Sequence, residues 1–279
     1  MAVLTLLLIA SSGVNSLLMP ASPAGLLTPF SGSRDAEAIF YNPALTSAGD
    51  DFRLNCFYNR YYLGMQGFSL ALSRKVKTLD LCVGITDFDY GAMEWHPDYP
   101  TEDSLANYSA YDFVFMVGGS FPVSARGRMG VTAKYIAETI YLYGDQALAF
   151  DVSLAYRSGN SGLTFGATNI GSKITLNGEG VNLPARLSLG LRQDFTRFNA
   201  GLEAHYFINR VSFEFGASAG LPLYRILEIS LGLRYRYQDP PFPAFGLNLN
   251  LGKFALKYGL ALYPYRLGPV NTLGFGMDF

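Results

Sequence analysis

"LEISLGLRYRYQ", residues 227–238, alternates without a break. Leu227, Ile229, Leu231, Leu233, Tyr235 and Tyr237 fall on one side; Glu228, Ser230, Gly232, Arg234, Arg236 and Gln238 fall on the other. A period of two is the mark of a strand with two unlike faces. A half-buried soluble sandwich alternates too, but it solvates its polar face, which normally calls for more Lys and Glu than stand here. The same pattern extends outward in "PARLSLGLRQ" (184–193), "FNAGLEAHYF" (198–207) and "VSFEFGASAG" (211–220). In each, the polar side is Gly, Ser, Asn and charges of both signs. An aqueous interior and an apolar exterior fit that arrangement better than a solvated outer face does.

Counting such segments gives strands near 52–60, 63–74, 78–88, 110–121, 128–140, 147–157, 162–169, 184–193, 197–206, 210–220, 226–238, 244–252, 254–263 and 271–279. The count is even, and the lengths suit tilted membrane strands. With both termini on one side, the connections sort by length. The long ones, 89–109 and 170–183, fall on the outside with "QDPPFPA" and "YPYRLGPVN". The inside ones are "RKVKT", "PVSARGR", "RSGNSG", "DFTR", "PLYR" and "LGK". The fold expected is all-β: a transmembrane antiparallel β-barrel of about 14 strands, spanning 52–279.

Composition agrees. Charged residues make up 15% of the chain and Gly 30 of 279 residues, with 19 Tyr, 21 Phe and one Trp. Soluble domains carry about 25% charged residues. Tyrosines near strand ends, at Tyr61, Tyr62, Tyr156, Tyr206, Tyr235, Tyr237, Tyr263 and Tyr265, suit interfacial girdles. The net charge of −1 offers no basic stripe for nucleic acid. Cys56 and Cys82 fall on non-adjacent strands and opposite faces, so neither a disulfide nor a metal cluster is expected. No cofactor is expected.

Residues 1–24 read as an export leader: Val3–Ala10 is apolar but too short to span a bilayer, and small residues follow. That places the barrel in the outer membrane of a Gram-negative-type bacterium, with its lipids as neighbours. The last strand, "NTLGFGMDF", puts Phe275, Met277 and Phe279 on the outward face, resembling the terminal strand that outer-membrane assembly machinery reads.

Residues 25–51 do not alternate. They carry Pro23, Pro29 and Pro43 within or beside them and are rich in small residues. A 14-stranded barrel is wider than one that side chains alone fill. The stretch therefore reads as an internal plug or hatch, with Phe40, Tyr41, Asn42, Pro43 and Ala44 at its centre.

"AEAIFYNPAL" (36–45) resembles the N-terminal signature of the PorV/PorQ family, itself similar to FadL-type outer-membrane transporters. Residues 168–175 ("TNIGSKIT") and 182–190 ("NLPARLSLG") resemble that family's mid-barrel segment. The resemblance implies passive transport of hydrophobic small molecules, gated by a hatch and a strand kink. Alternatively it implies an accessory role beside type IX secretion components, presenting or shuttling cargo.

The loop 89–109 gathers Tyr90, Met93, Trp95, His96 and Tyr99, a candidate capture site for an apolar ligand. His205 beside Glu203 and Glu214 would suit proton-linked or hydrolytic chemistry, yet no G-x-S-x-G accompanies them. These residues read instead as a lumen network pairing Arg186, Arg192, Arg234, Arg236 and Lys257 with Asp151, Glu203, Glu214 and Glu228, in a chain that is not an enzyme. Charge introduced at the inward Ser188 or Ser230 is expected to be tolerated.

Overall fold

The computed structural model describes residues 14–32, 34–49, 51–95, 106–209, 212–224, 226–265 and 267–279. The apolar run Val3–Ala10, expected to be the core of a leader, lies outside the described residues, as do His96 and Tyr99. The sixteen strands are β1 Phe52–Arg60, β2 Gln66–Val76, β3 Leu79–Trp95, β4 Ala106–Pro122, β5 Gly127–Ile140, β6 Tyr143–Ser158, β7 Ser161–Gly171, β8 Lys173–Leu176, β9 Glu179–Asn182, β10 Arg186–Asp194, β11 Asn199–Phe207, β12 Ser212–Tyr224, β13 Leu227–Arg236, β14 Phe242–Leu251, β15 Phe254–Leu262 and β16 Pro269–Asp278. Fourteen of them form a closed antiparallel barrel in which sequence neighbours pair. β7 pairs β10, and the hairpin β8–β9 sits in the connection between them. β1 closes on β16 in an unbroken register from Arg53↔Asp278 to Arg60↔Asn271. Closure leaves no free sheet edge, the condition for a sheet to cross lipid.

Alternation sets the two faces as expected. Leu187, Leu189, Leu191, Leu202, Phe213, Phe215, Leu231, Leu233, Leu273 and Phe275 are exposed on the outside. Ser188, Glu203, His205, Glu214, Arg234, Lys257 and Thr272 are buried on the inside. Phe279 is also exposed, edge-on to Phe52 at 5.0 Å between centroids, and Met277 is half-buried. Cys56 and Cys82 are both free thiols.

Three details differ from the sequence reading. β3 and β4 run past the expected strand ends, so residues 89–95 and 106–109 of the expected loop 89–109 belong to a two-stranded extension. Paired main chain continues there as far as Trp95↔Ala106. The 170–183 connection holds β8–β9, whose Ile174 is fully buried. Tyr61 and Tyr62 are no part of an outer girdle. A turn at Tyr62–Gly64 folds both rings inward, and the Tyr61 hydroxyl donates to the carbonyl of Pro20 at 2.8 Å. Tyr156, Tyr235, Tyr237 and Tyr265 do face outward.

Arg in place of Leu189, Leu231 or Phe213 is expected to destabilise the barrel by about 2–4 kcal/mol near the bilayer midplane. Urea unfolding in bilayers, followed by loss of the fast-migrating unboiled band, checks this; an unchanged midpoint would contradict the outward assignment. The half-buried Ser230 should accept Arg. Ser188 should not, because it is enclosed and bonded to His205, a correction to the sequence reading.

Candidate functional site

The centre of the molecule is built from residues 14–49. Prolines at 23, 29 and 43 each start a short 3-10 turn, where the missing N–H is not needed, and no turn exceeds five residues. Such a chain leaves many main-chain groups without partners of their own. The barrel's inward side chains supply them, as buried amides and carbonyls require.

The contacts run all the way round. Arg234 Nη1 donates to the carbonyl of Gly25 at 2.6 Å, and the Phe30 N–H reaches Glu203 Oε2 at 2.9 Å. Thr164 Oγ1 donates to the carbonyl of Phe30 at 2.9 Å, and Ser153 Oγ accepts from the Ala44 N–H at 2.8 Å. Ser120 Oγ donates to the Thr46 carbonyl at 2.8 Å, and Ser73 Oγ to that of Ser47 at 3.0 Å. Lys257 Nζ bridges Asp35 (2.7 Å) and Glu37 (2.6 Å). The partners lie on the inward face of strands from β1 to β16, so the segment occupies the space inside the barrel.

Asn42 and Pro43 fix the heart of the segment. Asn42 is fully buried; its Nδ2 donates to the carbonyl of Phe30 at 2.6 Å and its Oδ1 accepts from the Ala44 N–H at 3.2 Å. It thus caps the turn Pro43–Leu45 and staples it to the turn that begins at Pro29. Phe40 packs edge-on against Tyr41 and Phe57, with centroids 6.1 and 6.4 Å away. The Tyr41 hydroxyl accepts from the Ser22 N–H at 2.8 Å, and burial raises that phenol well above its ordinary value. Burial also opposes ionisation of Asp35, but Lys257 and Arg53 outweigh it and hold the carboxyl below its usual range. The inward glycines make room. A Cβ on Gly130 would overlap the backbone of Pro43 and Ala44, and one on Gly166 would meet the Phe30 ring at 3.1 Å.

The charges group differently from the expected network. Glu214 pairs with both Arg234 and Arg236. Lys257 serves the N-terminal segment, Asp151 pairs with Lys134 at 2.7 Å, and Arg192 with Asp194 at 2.8 Å. Glu228 accepts from Asn199 at 2.9 Å, and Arg186 donates to Thr168 at 3.0 Å. Lys134 also donates to Asn169 Oδ1 at 2.7 Å, and Asn169 Nδ2 reaches the carbonyl of Pro184 at 3.3 Å. Asn169 adopts a left-handed backbone (φ 58°), which ties the 168–175 stretch to the Leu183-Pro184 stretch.

Ser188, read from sequence only as an inward polar residue, lies opposite His205 in register, its Oγ 2.8 Å from His205 Nδ1. His205 Nε2 is 3.4 Å from Glu203 Oε1. The residue types are those of a hydrolase triad. All three are enclosed, Glu203 already holds the Phe30 amide, and the Phe30 ring lies edge-on to the imidazole at 6.0 Å. The arrangement seats Phe30. Its signal was legible only through cross-strand register, since no local motif carries it.

At the end of the barrel expected to face outside, the ring pairs Tyr61–Phe88, Phe88–Tyr90, Tyr62–Tyr263 and Phe242–Tyr263 stand 5.0, 4.8, 5.5 and 4.4 Å apart between centroids. Met19 and Met65 pack against them. Of the expected capture residues, Tyr90 joins this belt and donates to Asp112 Oδ2 at 2.9 Å; Met93 is half-buried on β3, and Trp95 ends that strand. The pairing of β3 with β4 slips between Asp89 and Ala92, around Gly91 (φ 78°). At the opposite end, a cavity of about 520 Å³ opens among Arg34, Arg126, Arg128, Arg157, Arg192 and Asp194.

No family model and no curated protein matches the sequence. Solved structures do match its fold. The toluene transporter TbuX of Ralstonia pickettii superposes with a TM-score of 0.68 at 12% identity, over 92% of this chain and 98% of that one. The toluene transporter TodX of Pseudomonas putida gives 0.67 at 11%, over 92% and 95%. A FadL homologue of Pseudomonas aeruginosa gives 0.62 at 12%, over 93% and 98%. At such identities the likeness is one of architecture: this chain folds as a 14-stranded barrel similar to those hydrophobic-compound transporters.

Proposed function

We propose that this chain is an outer-membrane barrel that passes small hydrophobic molecules by passive diffusion, with residues 14–49 acting as an internal plug. The observation that carries the reading is the occupied interior: a barrel of fourteen strands whose own N-terminal segment is bonded to its wall all round. An apolar molecule would first meet the aromatic and methionine belt at the outer mouth, where soft, flat side chains give adaptable contact. The slip in β3–β4 pairing beside Gly91 is the proposed place where the wall yields. The fold likeness to transporters of toluene supports the substrate class, and the non-enzymatic reading goes with it.

The test is uptake by cells of a host lacking its own such transporters, with toluene as probe. Expression is expected to raise toluene entry several-fold while leaving sucrose excluded. Entry equal to that of cells without the protein, or free passage of sucrose, would count against the proposal.

A further inference from the structure

Asp112 on β4 and Glu138 on β5 are opposite partners in register, and both carboxylates are buried on the inward face. Among the described residues, no Lys, Arg or His pairs with either. One oxygen of each, Asp112 Oδ1 and Glu138 Oε2, has no hydrogen-bond partner. Two adjacent buried carboxylates repel, and buried charge calls for an opposite charge. Tyr90 donates to Asp112 Oδ2 at 2.9 Å, and the start of the described chain also approaches. The Val14 N–H donates to Glu138 Oε1 at 3.3 Å, and the Ser16 N–H to Asp112 Oδ2 at 3.1 Å. The buried Ser16 side chain lies against Asp112 as well.

We propose that the chain is cut between Gly13 and Val14 during export, and that the new α-ammonium of Val14 is the counter-ion of Asp112 and Glu138. The donors then match the acceptors. The Val14 amide offers one proton, already given to Glu138 Oε1; an ammonium offers three, one for that oxygen and two for the orphaned oxygens. Val14 is fully buried and holds φ at 59°, a left-handed conformation costly for a β-branched residue. With Val14 as the first residue there is no preceding carbonyl, so that strain is gone. Ser11 and Gly13 are small residues three and one places before that bond, and the apolar run Val3–Ala10 precedes them.

A cut after Ala24, at the end of the leader expected from sequence, would strip partners from several buried groups. The Tyr41 hydroxyl would lose Ser22, Asn59 the Ala21 carbonyl, Tyr61 the Pro20 carbonyl, and both carboxylates their main-chain donors. The reaction is hydrolysis by the leader peptidase of export: water cleaves the Gly13–Val14 amide, Gly13 keeps the carboxylate, and Val14 keeps the amine, which takes up a proton. It precedes barrel closure, since Val14 is enclosed afterwards. None of this depends on what the barrel transports.

The test is mass spectrometry of the full-length chain expressed in an exporting host and extracted from outer membranes. The N-terminal peptide is expected to begin at Val14. A start near Gly25, or retention of residues 1–13, would overturn the proposal. Treatment of the same protein with an amine-acylating reagent near neutral pH reads the pairing. Acylation needs the neutral amine and pairing favours the charged form, so the Val14 amine is expected to react about tenfold or more slowly in the folded barrel than after boiling in SDS. In the folded D112N/E138Q variant the protection should be lost. Equal labelling of folded and boiled wild-type protein would overturn the counter-ion role whether or not the variant folds.

Discussion

Replacing Glu214 with Ala is expected to destabilise the protein by about 3–5 kcal/mol, the cost of leaving buried charge without its partner. Arg234 and Arg236 both direct guanidinium groups at this carboxylate, one on each oxygen. Arg234 is 9% exposed and Glu214 4%, so water cannot take over the lost contact. The damage should reach the N-terminal segment, because Arg234 also holds the carbonyls of Gly25 and Leu27. Glu228→Ala is the control. Glu228 is half-buried, bonds Asn199, and should cost about 1 kcal/mol. Urea unfolding of the two variants in the same bilayer separates them. Similar midpoints would mean that the interior around Glu214 is solvated.

Gly130→Val is expected to expel the Asn42-Pro43-Ala44 turn from the wall while leaving the barrel closed. The first added carbon would already overlap the main chain of Pro43 and Ala44, which is backbone and cannot rotate away. Over-packing of this kind typically costs about 1–3 kcal/mol. The cheaper relief is displacement of the segment, because the β4–β5 and β5–β6 ladders around Gly130 are continuous. The displaced segment would lose the Ala44–Ser153 bond and the seat of Asn42 beneath Phe30. Limited proteolysis of the folded protein should then cleave between residues 25 and 48, where the wild type is expected to resist, with the fast-migrating unboiled band unchanged. Resistance equal to wild type would contradict the contact.

The barrel was legible because alternation is local and repeats fourteen times; the outward row in 227–238 needs no tertiary knowledge. The closure of β1 on β16 followed from the even count. That residues 36–45 break the alternation was legible, since a proline interrupts a run of aromatic and small residues there. The anchors of that stretch were not. Ser153, Thr164 and Ser120 are ordinary polar-face residues in sequence, and only register brings them to the main chain of Ala44, Phe30 and Thr46. The charge partners failed for the same reason: Lys257 is claimed by Asp35 and Glu37, some 220 positions away. Tyr61 and Tyr62 misled because tyrosine at a strand end serves a girdle or a mouth equally well, and the turn at Tyr62–Gly64 decides. The capture loop was read as free chain because Gly91 interrupts the alternation, although pairing resumes beyond it.

The central claim is that residues 25–48 close the lumen, and single-channel conductance in a planar bilayer tests it most directly. The segment takes no part in the barrel's pairing, so a chain lacking it should still assemble. Wild-type protein is expected to be nearly closed, and the deletion to show a persistent, water-filled conductance. Wild type and deletion conducting alike would contradict the account and leave the segment as something other than a plug.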